Sequence, residues 1–220
     1  MMYPNKPLAT FAARAAALFL CLAPAMSQAA YSTDFSSGPG PEWAVNGGQN
    51  TNAQGILGEL DGGSAVLSLL APLATASPLG FDLLGFRTLD GSGNCCTDTF
   101  TLSLNGSAIF SGSFNMAGGG DNVVILNTVN AVVTVNAPIF SQGGTATVSI
   151  PTLNFFAGLN TLSFSYGNLQ GRGDEAWGLD NVSLPGSVSA VPEASTLITM
   201  GLGLMVVGFW ASRRRDFCTA

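Results

Sequence analysis

Five acidic residues are spaced so that the loops of one domain could gather them. Asp90 and Asp98 flank residues 91–97, and Asp174, Glu175 and Asp180 lie in and beside the last predicted loop. Calcium is held by about six to eight oxygens from carboxylates, carbonyls and waters, at roughly 2.3–2.6 Å. Loops far apart in sequence converge at the ends of a β-sandwich, so these acids can form a calcium site. The competing reading is solvated loop carboxylates, with Asp180 and Asn181 satisfying a strand end. Asp174 and Glu175 are also the only pair suggestive of a glycan hydrolase dyad, but neighbours on a strand point to opposite faces.

Other catalytic chemistry is poorly supplied. The chain has no histidine, which removes the usual general base and the commonest transition-metal ligand. The glycine-rich stretch 117–121 lacks the lysine of a phosphate loop. The protein therefore reads as non-enzymatic. Cys95 and Cys96 are adjacent, with Cys21 and Cys218 lying near the two chain ends. Successive Cα atoms are about 3.8 Å apart, below the roughly 4.4–6.8 Å of ordinary disulfides, so a bond between these two would be strained. In an oxidising compartment a Cys95–Cys96 disulfide, free thiols and an intermolecular bridge all stay open. Trp43, Trp177, Tyr31 and Tyr166 can stack on sugar rings or pack in a core.

Charge narrows the partners. Between residues 30 and 190 two bases, Arg87 and Arg172, stand against eleven acids from Asp34 to Asp180, a formal charge of 2 − 11 = −9. Nucleic acid needs a basic footprint to neutralise its phosphates, so it is not a partner.

The elements that must position these residues are strands. Residues 99–104 (TFTLSL) alternate apolar and polar side chains, the period of a strand with one buried face. Asn105-Gly106 follows, the favoured pair for a two-residue type I′ hairpin, and 107–114 returns. Further strands are expected at 64–70, 80–86, 123–126, 129–135, 145–150, 161–166 and 175–184, separated by turns rich in the chain's 28 glycines. No fixed-period repeat and no persuasive helix appear in this region. The fold class is all-β, a β-sandwich or jelly roll over residues 30–185, with 186–190 as a linker.

Both ends read as targeting segments. Residues 1–29 have the form of a secretory signal peptide, with Lys6 and Arg14, an apolar stretch 15–23 and Ser27-Gln28-Ala29 at the cleavage site. Near the C-terminus, residues 191–215 read VPEASTLITMGLGLMVVGFWASRRR. The uncharged run 197–211 would span roughly 22 Å as a helix, one short transmembrane helix. Arg213, Arg214 and Arg215 would hold its end on the cytoplasmic side.

This order of polar motif, apolar run and basic cluster resembles the PEP-CTERM sorting signal of Gram-negative bacteria. Val191, Pro192, Glu193, Ser195 and Thr196 match its motif, while Ala194 stands where the second proline is usual. The resemblance implies processing by exosortase, a membrane protease, in bacteria that make exopolysaccharide. Residues 81–106 and 174–184 are similar to segments of exported PEP-CTERM proteins with lectin-like jelly rolls. The implied protein crosses the inner membrane, is anchored by its C-terminal helix, and passes to the cell surface or extracellular matrix, with exopolysaccharide as a partner. The alternative is a carbohydrate-binding module, calcium-dependent if the acids hold an ion, with a glycan hydrolase behind it.

Overall fold

The computed structural model describes residues 30–47, 55–136, 142–186 and 188–191. The expected signal peptide, the 197–211 helix, the motif from Pro192 onward and the arginine cluster lie outside the described residues. No helix among the described residues is long and apolar enough to cross a membrane.

The described chain is an all-β sandwich. Its strands are β1 (Tyr31–Thr33), β2 (Trp43–Asn46), β3 (Leu57–Leu60), β4 (Ser64–Ala71), β5 (Thr75–Arg87), β6 (Leu89–Asp90), β7 (Thr99–Leu104), β8 (Ser107–Ser113), β9 (Ala117–Gly119), β10 (Val123–Asn127), β11 (Val132–Val135), β12 (Gly144–Phe155), β13 (Gly158–Gly167), β14 (Glu175–Leu184) and β15 (Ser189–Ala190). One antiparallel sheet runs β1-β14-β5-β12-β11, with β3 sharing the β14 edge. The other runs β10-β8-β7-β13-β4-β15, with β2 sharing the β4 edge. Chain neighbours repeatedly cross between the sheets, as in a jelly roll.

Period-two patterning builds the space between them. In β4, Ala65, Leu67, Leu69 and Ala71 are buried and alternate with less buried residues. In β13, Leu162, Phe164 and Tyr166 do the same. Each large apolar side chain sealed this way contributes about 1.5–3 kcal/mol. Aromatic rings link the two layers: Phe81 of β5 meets Phe164 of β13 edge-on at 5.2 Å between centroids, and Tyr166 meets Trp177 of β14 at 5.9 Å.

The hairpin expected at Asn105-Gly106 is present between β7 and β8, with positive φ at both residues (50° and 81°). Two strands run furthest beyond their sequence windows, β5 back to Thr75 and β12 on to Phe155. Pro78 and Pro151 hide this extension, because proline usually ends a paired strand. Both fall where the β5–β12 register shifts, between Ile150 and Leu153, so a missing N–H costs no regular ladder bond there. Of the stretch 186–190, expected as a linker, the described residues Gly186 and Val188 to Ala190 pack on the domain. Val188 is fully buried, Gly186 N donates to Ser77 Oγ at 2.9 Å, and Ser189–Ala190 pair with Leu70 and Leu69 of β4. Buried apolar area outweighs the short polar composition of this stretch.

A buried carboxylate cluster and its thiol rim

The site grows from a small parallel ribbon at one end of the sandwich. β6 pairs with β9, joining Leu89 to Ala117 and Asp90 to Gly119. Backbone bonds continue the contact, Gly91 N to Gly119 O at 2.7 Å and Ser92 N to Asp121 O at 2.8 Å. The glycine run 118–120 permits this approach: a Cβ on Gly118 would overlap Asp90 Oδ1 and the Thr88 carbonyl. The loop leaving β6 then carries Asn94, Cys95 and Cys96 before Asp98 leads into β7. From the other sheet, β14 begins at Glu175, opposite Arg87 of β5.

These elements bring three carboxylates together. Asp90, Asp98 and Glu175 each offer an oxygen within 4.8 Å of the other two. All are buried, with relative exposures of 6 %, 0 % and 1 %. Neutral groups donate hydrogen bonds to each of them. Asp90 N donates to Asp98 Oδ2 at 2.7 Å, and Asn94 Nδ2 to Asp90 Oδ1 at 2.8 Å. Gln170 N donates to Glu175 Oε2 at 2.6 Å, and Gln170 Nε2 to Glu175 Oε1 at 3.4 Å. Among the described residues, no hydrogen-bond donor reaches the buried Asp98 Oδ1. Arg87 and Arg172 form their ion pairs elsewhere, with Glu59 at 3.3 Å and Asp61 at 3.5 Å.

Burial dominates the electrostatics. It lifts Asp98 to a pKa of about 7, the like charges of Glu175 and Asp90 adding to the shift against the bond from Asp90 N. Glu175 is raised chiefly for the same reason, with Asp90 and Asp174 contributing. Tyr166, wholly buried and within reach of the Asp98 charge, is held far above the usual phenol range. Three carboxylates in so small a space cannot all remain charged without compensation. A shared proton or a cation relieves them, and an all-oxygen donor set suits a hard ion such as calcium. The residues present fit such an ion, Asp98 Oδ1 being the oxygen left over.

Of the acids expected to act together, Asp90, Asp98 and Glu175 converge, and two stand apart. Asp174 is exposed and faces Thr88, whose Oγ1 donates to Asp174 Oδ1 at 2.8 Å. Asp180 lies opposite Asp82 on the β14–β5 ladder, where Asn181 Nδ2 donates to Asp82 Oδ2 at 2.8 Å. Burial raises the Asp180 pKa. Asp174 and Glu175 diverge, one outward and one inward. Asn94 and Gln170 are functional residues that sequence reasoning missed. Asn94, four residues after Asp90, was open to detection, whereas the turn that folds Gln170 onto Glu175 carries no clear signal.

Cys95 and Cys96 rim the cluster as thiols. Their sulfurs lie 2.9 Å apart, and both sit within 4.8 Å of an Asp90 carboxylate oxygen. The bond to Cys95, followed by burial, pushes the Cys96 thiol up to about 11. The four rings considered for sugar stacking are core residues instead. Trp177 is 0 % exposed and Tyr166 4 %, while Tyr31 and Trp43 are each 8 % exposed, and Trp43 Nε1 donates to Tyr31 OH at 2.6 Å. No face of theirs is open to a ligand.

The family model of the PEP-CTERM protein-sorting motif matches residues 190–215. No curated protein matches the chain. Among solved structures, the chain is similar to a family 35 carbohydrate-binding module from an environmental isolate (18 % identity, 73 % of this chain and 97 % of that one, TM-score 0.41). A second is the family 35 module of Cellvibrio japonicus Abf62 (16 % identity, 74 % and 99 %, TM-score 0.41). A third, from Clostridium thermocellum, gives 13 % identity, 74 % and 99 %, and a TM-score of 0.35. These values describe a loose likeness of architecture. The chain is thus an all-β jelly-roll sandwich followed directly by a PEP-CTERM protein-sorting motif.

Proposed function

We propose that this protein is a non-catalytic exported surface module, carried through the inner membrane by residues 1–29 and held there by a helix at 197–211 until an exosortase-type protease processes it. The observation that supports this most is the sorting-motif match at 190–215, which begins on the last strand of the domain. The motif implies export and a membrane-anchored tail. Exopolysaccharide is the partner this route of delivery favours. Within the module, Asp90, Asp98 and Glu175 hold a calcium ion that ties the ribbon of β6 and β9 to the start of β14. The ion's part is structural, offsetting carboxylate charge, while Asn94 and Gln170 orient two of its ligands.

Delivery is tested by fractionating cells and reading the mature C-terminus by mass spectrometry. Replacing Pro192 and Glu193 with alanine should leave membrane insertion intact and abolish C-terminal processing. Replacing Arg213, Arg214 and Arg215 with glutamine should release a fraction of chains into the periplasm, because the positive charge opposes translocation. Recovery of soluble wild-type protein with Ala220 still attached refutes the anchor.

A second reading, a carbohydrate-binding module, draws support from one groove. Thr128, Asn130, Thr152 and Asn154 edge it, over a floor that includes Ile109 and Leu153. Hydroxyls and amides above an apolar floor suit a sugar, and the β12 bulge places Thr152 there. On a glycan array the wild-type protein should bind a polysaccharide that Asn130→Ala/Thr152→Ala binds at least about tenfold more weakly, the loss of one or two hydrogen bonds. Equal binding by the variant, or none by either protein, removes this reading.

A further inference from the structure

We propose that Cys95 and Cys96 form a reversible thiol–disulfide site whose reactant is an external disulfide, and that its state sets the cation affinity of the Asp90–Asp98–Glu175 cluster. This rests on the calcium reading above. The two sulfurs are 2.9 Å apart, Cys95 is exposed and Cys96 partly so. An incoming disulfide can therefore reach Cys95, with Cys96 already against it.

The pair is wired to the cluster through Asn94. Cys95 N donates to Asn94 Oδ1 at 2.9 Å, and the same amide donates through Nδ2 to Asp90 Oδ1 at 2.8 Å and to Gly118 O at 3.1 Å. The Cys95 backbone thus orients the side chain that holds Asp90. On the other side of the cluster, Gln170 donates to both oxygens of Glu175. Asp90 belongs to two triads at once, one with Asp98 and Glu175 and one with the two sulfurs. A change in the sulfur pair is passed to Asp90 through one hydrogen-bonded residue, Asn94.

The exchange balances without any further reactant. Cys95 sulfur attacks one sulfur of the external disulfide, forming a mixed disulfide and expelling the other sulfur as a thiolate. Cys96 sulfur then attacks Cys95 Sγ and displaces the second external sulfur. The protein loses two electrons and two protons, and the external disulfide leaves as two thiols. A bond between adjacent residues is strained, so the reverse exchange with a dithiol is accessible. Because neighbouring residues enclose almost no chain, the bond restricts the unfolded state very little. Its effect is local: a fixed 95–96 backbone presents Asn94 and Asp98 in place, leaving less to order when a cation engages.

The experiment uses the full chain in detergent, with Cys21→Ser and Cys218→Ser so that only the pair reacts. One sample is treated with oxidised glutathione and one with a phosphine reductant, each state being verified by alkylation and peptide mass. Calcium chloride is titrated into both by calorimetry. The oxidised protein should bind calcium about tenfold more tightly, within the usual range of coupling between linked sites. The Cys95→Ser/Cys96→Ser variant should bind with the affinity of the dithiol under both treatments. Equal affinity in the two verified states overturns the inference and leaves the calcium reading standing. Absence of calcium binding in both removes the calcium reading and this inference with it. Failure of the bond to form, or a bond between two chains in its place, also overturns the inference.

Discussion

Without metal, the melting temperature of the exported domain should fall as the pH is raised from 5 to 8, and added calcium should reverse the direction of that dependence. Asp98 has a folded pKa near 7, above the roughly 3.9 of a free aspartate. Between those values the folded protein binds a proton that the unfolded chain has released, so its stability is greatest at the acid end of the window. That stability is lost as pH rises through about 7. Glu175 is shifted in the same direction by its burial and adds to the trend. From pH 5 to pH 8 the loss is on the order of 2 kcal/mol, or about 4–8 °C for a domain of this size. A bound cation changes the sign, because protons then compete with it for the same oxygens and acid releases it. Asp98→Asn should flatten the metal-free profile and abolish the response to calcium. Differential scanning calorimetry at several pH values, with calcium or with a chelator, reads all of this. A metal-free profile that rises toward pH 8 contradicts the burial argument, and identical curves with and without calcium remove the ion.

Gly118→Ala should be the most damaging single substitution at the site, while Gly80→Ala should do almost nothing. A methyl on Gly118 would overlap Asp90 Oδ1 and the Thr88 carbonyl. One of those atoms belongs to a main chain that cannot step aside, so the β6–β9 ribbon must open and Asp90 must leave the cluster. Overpacking of this kind costs about 2–4 kcal/mol, and the calcium response should go with it. At Gly80, inside β5, a Cβ meets nothing within 4 Å. Alanine there even removes some of glycine's unfolded-state freedom, worth about 0.5–1 kcal/mol. Chemical denaturation of the two variants beside wild type gives the contrast. A Gly118→Ala protein as stable as wild type, still answering to calcium, means that the ribbon yields more easily than its geometry says.

Much of the fold was legible because a strand with one buried face writes its period into the sequence. Residues 99–104 and 161–166 show it, and Asn105-Gly106 announces its own turn. The extensions of β5 and β12 were hidden behind Pro78 and Pro151, which read as breaks until the bulge that accommodates them is seen. The site was legible by composition and illegible in membership. Asp90 and Asp98 are near neighbours joined by a loop. Glu175 reaches them only because β14 pairs with β5 eighty-odd residues away from it in sequence, a contact that no local pattern encodes. Asp174 looks the same as Glu175 in sequence, and its place on the turn just before β14 leaves it exposed. The aromatic rings carried the opposite lesson: Trp43 and Trp177 could have served either surface or core, and only the packing decides.

The way β15 is attached has a mechanical consequence. On the delivery proposed above, drag would reach the domain through Val191, and the first described structure along that line is a two-residue strand on the edge of β4. Under tension it peels, its hydrogen bonds failing in succession rather than together. Val188 is drawn from the interior next, along with the bond from Gly186 to Ser77. Residues 186–191 would then pay out at about 3.4 Å each, roughly 20 Å of added tether, before β14 bears any force between β1 and β5. So anchored, the domain would meet a sudden pull with a short extensible leash, the carboxylate cluster behind Glu175 staying folded while that slack is taken up.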